Sequence, residues 1–212
     1  MLPVGEPRWR RRKEARPGEI VAAALAVFAE KGFAAARLDD IAARAGVSKG
    51  ALYLYFETKQ DLFAAVVRDA ISPNLAAVEV AAGAINLPFA VIIRALIERA
   101  AEMMTVSPVG PVAKMVIAES RNFPELARVW HDEVVARMLG VLTGLIERAQ
   151  AKGEVRPGDA RFHALALIGP LLMGVLWREV LTPVGAAPLD LRALARQHVD
   201  TILAGLLAEG GR

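Results

Sequence analysis

The stretch "RAGVSKGAL", Arg44 to Leu52, decides how this chain is read. Within it Gly46-Val47-Ser48-Lys49-Gly50 satisfies G-x-S-x-G, the pattern that seats a hydrolase serine on a sharp strand-to-helix turn. The same letters fit the turn and second helix of a helix-turn-helix. The first reading needs a strand upstream, but Gly46 is preceded by "LDDIAARA", in which Leu38, Ile41 and Ala42 fall on one helical face. No glycine-rich oxyanion segment accompanies it. His131, His163 and His198 lie downstream, as that triad order requires, yet no feature of the sequence brings them to Ser48. The second reading uses every residue. Gly46 supplies the positive φ of a short turn, Val47 fills the angle between the helices, and Ser48 accepts a hydrogen bond from a free amide of the next helix. Ala42, Ala45 and Ala51 permit close crossing, and Leu52 and Phe56 face the core with Ile41. Ser48 is expected to be a cap, with Lys49, Gly50 and Tyr53 outward and Tyr55 on their flank.

Working outward, the apolar spacing is helical almost throughout. Ile20, Ala24, Val27 and Phe28 recur at i, i+4, i+7 and i+8, and Gly32 ends that helix. Thr58 and Asp61 form a capping-box pattern that opens a fourth helix, expected to bend or end near Ser72-Pro73. Further helices are predicted near Pro88–Thr105, Pro108–Asn122, Pro124–Lys152, Asp159–Leu181 and Leu189–Ala208, with prolines and glycines marking most breaks. The expected fold is all-α, about nine helices. A basic arm spans 1–14. A helix-turn-helix domain spans 15–75, with its motif at about 37–56. Its fourth helix joins it to a larger helical bundle over 76–212.

Composition agrees. The 212 residues are 55% hydrophobic and only 6% aromatic, with a net charge of +3. That charge is uneven: Met1 to Arg68 hold 12 Lys/Arg against 8 Asp/Glu, and the remainder holds 14 against 15. A basic front on a neutral, apolar body suits a head that binds a polyanion. With no cysteine, disulfides, thiolate catalysis and zinc–thiolate sites are excluded. The charged N-terminus (Arg8, Arg10, Arg11, Arg12, Lys13) is followed by no apolar secretory segment. The run "FHALALIGPLLMGVLW", Phe162 to Trp177, is shorter than the roughly 20 residues a bilayer needs. It reads as a helix buried on all sides, in the core or at a subunit interface, and the expected location is the cytoplasm. Neighbouring His131-Asp132-Glu133 point in different directions on a helix, so no metal, no cofactor and no catalytic residue is expected.

"EIVAAALAVFAEKGFAAARLDDIAARAGVSKGALYLYFETKQDLFAAVV", Glu19 to Val67, resembles the DNA-binding domain of the tetracycline-repressor (TetR) family, including its "IA..AGVS.G.LY.YF..K..L" signature. The resemblance implies a homodimer that binds a palindromic double-stranded DNA operator and is released by a small ligand held in the C-terminal domain. It also implies DNA roles for Tyr53 and Tyr55. Lys49, Gly50, Ala51 and Tyr53 are expected in the major groove, with Ser48, Tyr55, Lys59 and Arg37 at phosphates; Lys59 opens the fourth helix, whose N-terminus attracts anions. One departure stands out: where the family has Thr or Ser capping the second helix, this chain has Ala36 and Arg37. Arg37 replaces a hydroxyl contact by charge, and the cap is lost unless Asp39 or a neighbour compensates.

In the C-terminal part, an apolar or amphipathic ligand is expected among helices carrying Phe89, Met103, Met115, Trp130 and Phe162, since no cation cluster or metal-ligand set favours an anion there. Leu165, Ile168, Leu172, Val175 and Leu176 form a run too apolar to face water and are expected at the dimer interface. A purely architectural nucleic-acid-binding protein is the competing reading. It leaves the apolar-rich helices behind the head unexplained, as does an enzyme without converging catalytic groups.

Overall fold

The computed structural model describes residues 8–70, 79 and 87–208. The expected break at Ser72-Pro73 and the first seven residues of the arm lie outside the described residues. The elements are α1 (Arg8–Ala35), α2 (Leu38–Arg44), α3 (Lys49–Tyr53), α4 (Lys59–Ala70), α5 (Phe89–Val106), α6 (Val109–Glu119), α7 (Pro124–Trp130), α8 (Ala136–Ala151), α9 (Ala160–Leu176) and α10 (Leu191–Leu206). A π turn, His131–Val135, follows α7 and precedes α8; with α7 and α8 counted together, the described residues hold nine helices. No strand occurs among the described residues; Val155 and Leu207 form an isolated bridge. α1 already begins at Arg8, so the second half of the basic segment is helical backbone.

The described chain forms two compact units. The head takes the residues up to Ala70 together with Met115–Val129, a segment that the division at residue 75 assigned to the regulatory part. The body takes the rest, so α6 gives Val109–Lys114 to the body and Met115–Glu119 to the head.

In the head, α1 and α4 bury Ile20, Ala24, Val27, Phe28, Leu62, Phe63 and Val66 around Ile41 and Leu52 of the helix-turn-helix. The rings of Phe28, Phe33 and Phe63 meet at 5.4–6.3 Å between centroids, and Phe123 stands edge-on to Phe33 at 5.0 Å. Such tilted and edge-on pairs match positive ring edges to negative faces. At Gly32 the backbone takes φ 76°, which breaks α1 and leaves its last turn, Phe33 to Ala35, offset from the main helix.

In the body, α5 packs on α10, and α9 packs on both α8 and α10. Each contributes residues three or four apart: Ile93, Ile97 and Ala101 from α5; Leu142, Leu145, Ile146 and Ala149 from α8; Ala164, Leu167, Leu171 and Val175 from α9; Ala195, Val199 and Leu203 from α10. Asp190 caps α10 by accepting from the amides of Arg192 at 2.9 Å and Ala193 at 3.1 Å. Residues 160–184 are long and apolar enough to cross a membrane by composition, yet one face of α9 is core.

Candidate nucleic-acid interface and regulatory body

The helix-turn-helix is built as its residues dictate. Gly46 turns the chain with φ 66°, and the amide of Val47 bonds back to the Ala42 carbonyl at 3.0 Å. Ser48 then caps α3, its Oγ accepting from the amide of Ala51 at 3.2 Å. That bond and the helix preceding Gly46 leave no nucleophile elbow. Leu52 is fully buried, whereas Phe56 is only half-buried. Ser48, Lys49, Gly50 and Tyr53 are exposed; Ala51 and Tyr55 are half-buried. A Cβ on Gly50 would meet nothing within 4 Å, so packing inside the chain does not require a glycine there.

Arg37 occupies the N-cap of α2 and makes no side-chain cap bond, as the missing hydroxyl requires. Asp40, in the first turn of α2, is turned to Lys31. The hydrogen bond from Lys31, 2.7 Å long, holds its carboxyl below the usual carboxylate range, with the Arg37 charge and backbone N–H adding smaller pulls. Asp39 instead pairs with Lys49 across the turn at 2.8 Å, which raises the Lys49 ammonium above its ordinary value through that hydrogen bond.

Lys59 departs from the expectation of a phosphate contact. Its ammonium donates to the carbonyls of Phe33, Ala34 and Ala36 at 2.5, 3.1 and 3.0 Å, which occupies all three of its donors. Burial pulls it below the usual lysine range, against the opposing charge of Glu119. Glu119 in turn accepts from the amides of Phe33 and Ala34, both at 2.6 Å. The turn leading into Arg37 is thus gripped from α4 and from α6. No local signal predicts the second grip, because Glu119 stands 86 residues from Phe33. The Thr58–Asp61 capping box forms reciprocally: each amide bonds to the other's side chain at 3.0 Å. Leu54, which the sequence reading passed over, is 83% exposed immediately after Tyr53.

The five expected ligand residues do not gather. Phe89 is body core, Met115 belongs to the head, Trp130 is half-buried, and Phe162 is 69% exposed. Met103 lines an apolar cavity, with Leu96, Ile97, Ala100, Met138, Val141, Leu142 and Ile168. It is nearly closed, about 10 Å³, no more than one water needs. A wider open groove of about 420 Å³ carries charge, with Glu98, Arg99, Glu102, Arg192 and Arg196 around Ala95. Its arginines are partly matched, Arg99 to Glu102 at 3.1 Å and Arg192 to Glu102 at 3.9 Å.

Residues 20–66 match the family described as "Bacterial regulatory proteins, tetR family", and residues 92–205, over half the chain, match "AefR-like transcriptional repressor, C-terminal domain". The chain belongs to the TetR family. The transcriptional activator FasR of Mycolicibacterium smegmatis is 45% identical over 56 residues, 26% of this chain and 26% of that protein. The match thus spans about a quarter of FasR. A TetR-family regulator from Mesorhizobium loti superposes with TM-score 0.73 at 25% identity, over 96% of this chain and 100% of that one. FadR of Bacillus subtilis, solved with stearoyl-CoA, shares the fold with TM-score 0.72 at 21% identity, over 89% of this chain and 98% of that one.

In this TetR-family chain the residues expected at the dimer interface divide. Leu165 and Leu172 are exposed, joined by Phe162 and Met173 along one face of α9, while Ile168 and Leu176 are half-buried. Val175 faces the opposite way and is fully buried in its own body. α9 is therefore not buried on all sides: its spacing gives it a core face and an uncovered apolar face. Gly174 allows the close crossing with α10, since a Cβ there would lie 2.6 Å from Leu191 Cδ1. His131 contacts its neighbour Asp132 at 2.7 Å, and no group of three metal-ligand side chains stands together among the described residues.

Proposed function

We propose that this TetR-family protein is a ligand-responsive cytoplasmic repressor that binds a palindromic operator as a homodimer. The observation that carries the reading is the Ser48-capped α3, which presents Lys49, Gly50 and Tyr53 beyond a correctly turned Gly46. Ser48, Tyr55 and Arg37 contact phosphates, and Lys49, Gly50, Ala51 and Tyr53 enter the major groove. Lys59 acts from behind, holding the turn that feeds Arg37 into α2. Since α3 offers no Arg, Asn or Gln for bidentate base reading, thymine methyls and DNA shape carry much of the specificity. Leu54 and Tyr53 supply the apolar contacts.

The exposed face of α9 supports pairing between protomers, which sets two recognition helices about 34–36 Å apart on DNA. For the inducer, the apolar cavity around Met103 and Met138 favours an apolar or amphipathic molecule. Entry requires the cavity to expand, and unbranched methionines yield most readily. Binding that favours the expanded body over the operator-bound one weakens DNA affinity by the ratio of the two affinities.

Selection on random duplex DNA tests the first claim, and an inverted-repeat consensus is the expected result. Calorimetry then tests the second: apolar and amphipathic molecules, beginning with stearoyl-CoA, are titrated with and without the selected duplex. An inducer must bind more weakly with operator present, by the same factor that it weakens the operator. Equal affinities dismiss that molecule, and no consensus dismisses the repressor.

A further inference from the structure

We propose that Asp39 sets how strictly the head separates its operator from bulk DNA, by holding Lys49 until the matching site replaces it. The inference rests on the DNA-binding reading above. Lys49 is the one cation of α3, and both oxygens of Asp39, in the first turn of α2, reach its ammonium, at 2.8 and 3.0 Å. The pair lies open to solvent, Lys49 60% and Asp39 59% exposed, on the face where DNA docks. It contributes little to holding the fold. Nearby cations are engaged in the same way: Lys31 with Asp40 and Arg44 with Glu30, each at 2.7 Å. Lys59 is committed to carbonyls.

Two consequences follow from this placement. Any phosphate can attract a free lysine, and that attraction is the sequence-independent part of DNA binding. A lysine already bound to a carboxylate gains little from a misplaced phosphate, and the exposed carboxylate repels the backbone. At the operator, α3 sits in register, so a guanine edge or a well-placed phosphate takes over the ammonium and offsets the loss of Asp39. Asp39 therefore penalises the wrong site more than the right one, which is how specificity arises from a repulsive element.

The test compares full-length wild type, Asp39→Asn, Lys49→Ala and the double variant on two duplexes, the selected operator and a scrambled sequence of equal length, across a salt series. Asp39→Asn should bind the scrambled duplex severalfold tighter, and its slope of log K against log salt should steepen by about 0.9, one extra phosphate contact. Its operator-to-scrambled ratio should fall severalfold. Lys49→Ala should lose operator affinity and leave scrambled affinity nearly unchanged, which tests the proposal independently of how Asp39→Asn folds. In the Lys49→Ala background, Asp39→Asn should no longer steepen the slope. An equal gain with or without Lys49 overturns the proposal, since Asp39 would then act by charge alone; so does an unchanged scrambled affinity. If wild type selects no operator at all, the DNA-binding reading fails first and carries this inference with it.

Discussion

Lys59 places its ammonium 4.5 Å from the centre of the Phe33 ring while donating to the Phe33 carbonyl at 2.5 Å. One side chain thus serves the ring and the backbone of a single residue, at the turn that launches the helix-turn-helix. Lys59→Met should lower head stability by about 2 kcal/mol, allowing for the partial exposure of the ammonium. Thermal melts and the salt slope of operator binding decide the role together. A lowered melting temperature with an unchanged slope is expected; a phosphate-binding lysine would give the reverse, a stable protein whose slope falls by about 0.9.

Gly50 separates folding from binding. A methyl group there enters open space and replaces the least helix-favouring ordinary residue with the most favouring one. Gly50→Ala should stabilise the protein by up to about 1 kcal/mol and yet weaken operator binding, because α3 could no longer approach the bases as closely. If melting temperature and affinity rise together, Gly50 does not sit in the groove.

Leu172 and Val175 lie three residues apart on α9 and should respond oppositely to the same change. Leu172 is 42% exposed, so Leu172→Arg should keep the helical circular-dichroism signal, sediment as a monomer and lose operator binding. Val175 is fully buried, and Val175→Arg should unfold the body by stranding a charge in its core. A folded Leu172→Arg dimer would move the interface elsewhere.

Asp190 makes one acid-sensitive contribution. The amide of Ala193 and then that of Arg192 hold its carboxyl below its ordinary value of 3.8. A carboxyl lowered by folding stabilises the native state above that ordinary value, and the benefit is lost as pH falls through the folded value. Asp190→Ala should lower the melting temperature by about 2–4 °C at neutral pH. The gap between wild type and Asp190→Asn, which caps without charge, should shrink once the pH drops below 3.8. A gap that stays constant from neutral to acid pH would mean the carboxylate charge plays no part.

Local sequence rules captured what depends on nearby residues. Gly46, Ser48 and the Thr58–Asp61 box each act within three or four positions, so turn and cap chemistry placed them correctly, and helical periods located the longer elements. The errors share a cause: they concern which way a side chain faces once distant segments meet. Met115 and Phe162 have the composition of pocket residues, but one is in the head and the other faces outward. Val175 lies within an unbroken apolar run whose letters do not mark which side packs inward. Lys59 looked like a phosphate ligand because it opens a helix, and the carbonyls that claim it lie 23 to 26 residues away. Glu119 was invisible for the same reason.

Pairing through the uncovered face of α9, as proposed above, would make protomer abundance a regulatory variable. A lone protomer would carry one recognition helix and an apolar strip facing water, and under that proposal the species competent for the operator would form in proportion to the square of the protomer concentration while dimers are scarce. Halving expression in that range would cut operator occupancy about fourfold at low occupancy. Dilution at cell division could therefore relieve repression before any inducer arrives, and a promoter repressed by its own product would settle at the copy number where pairing begins.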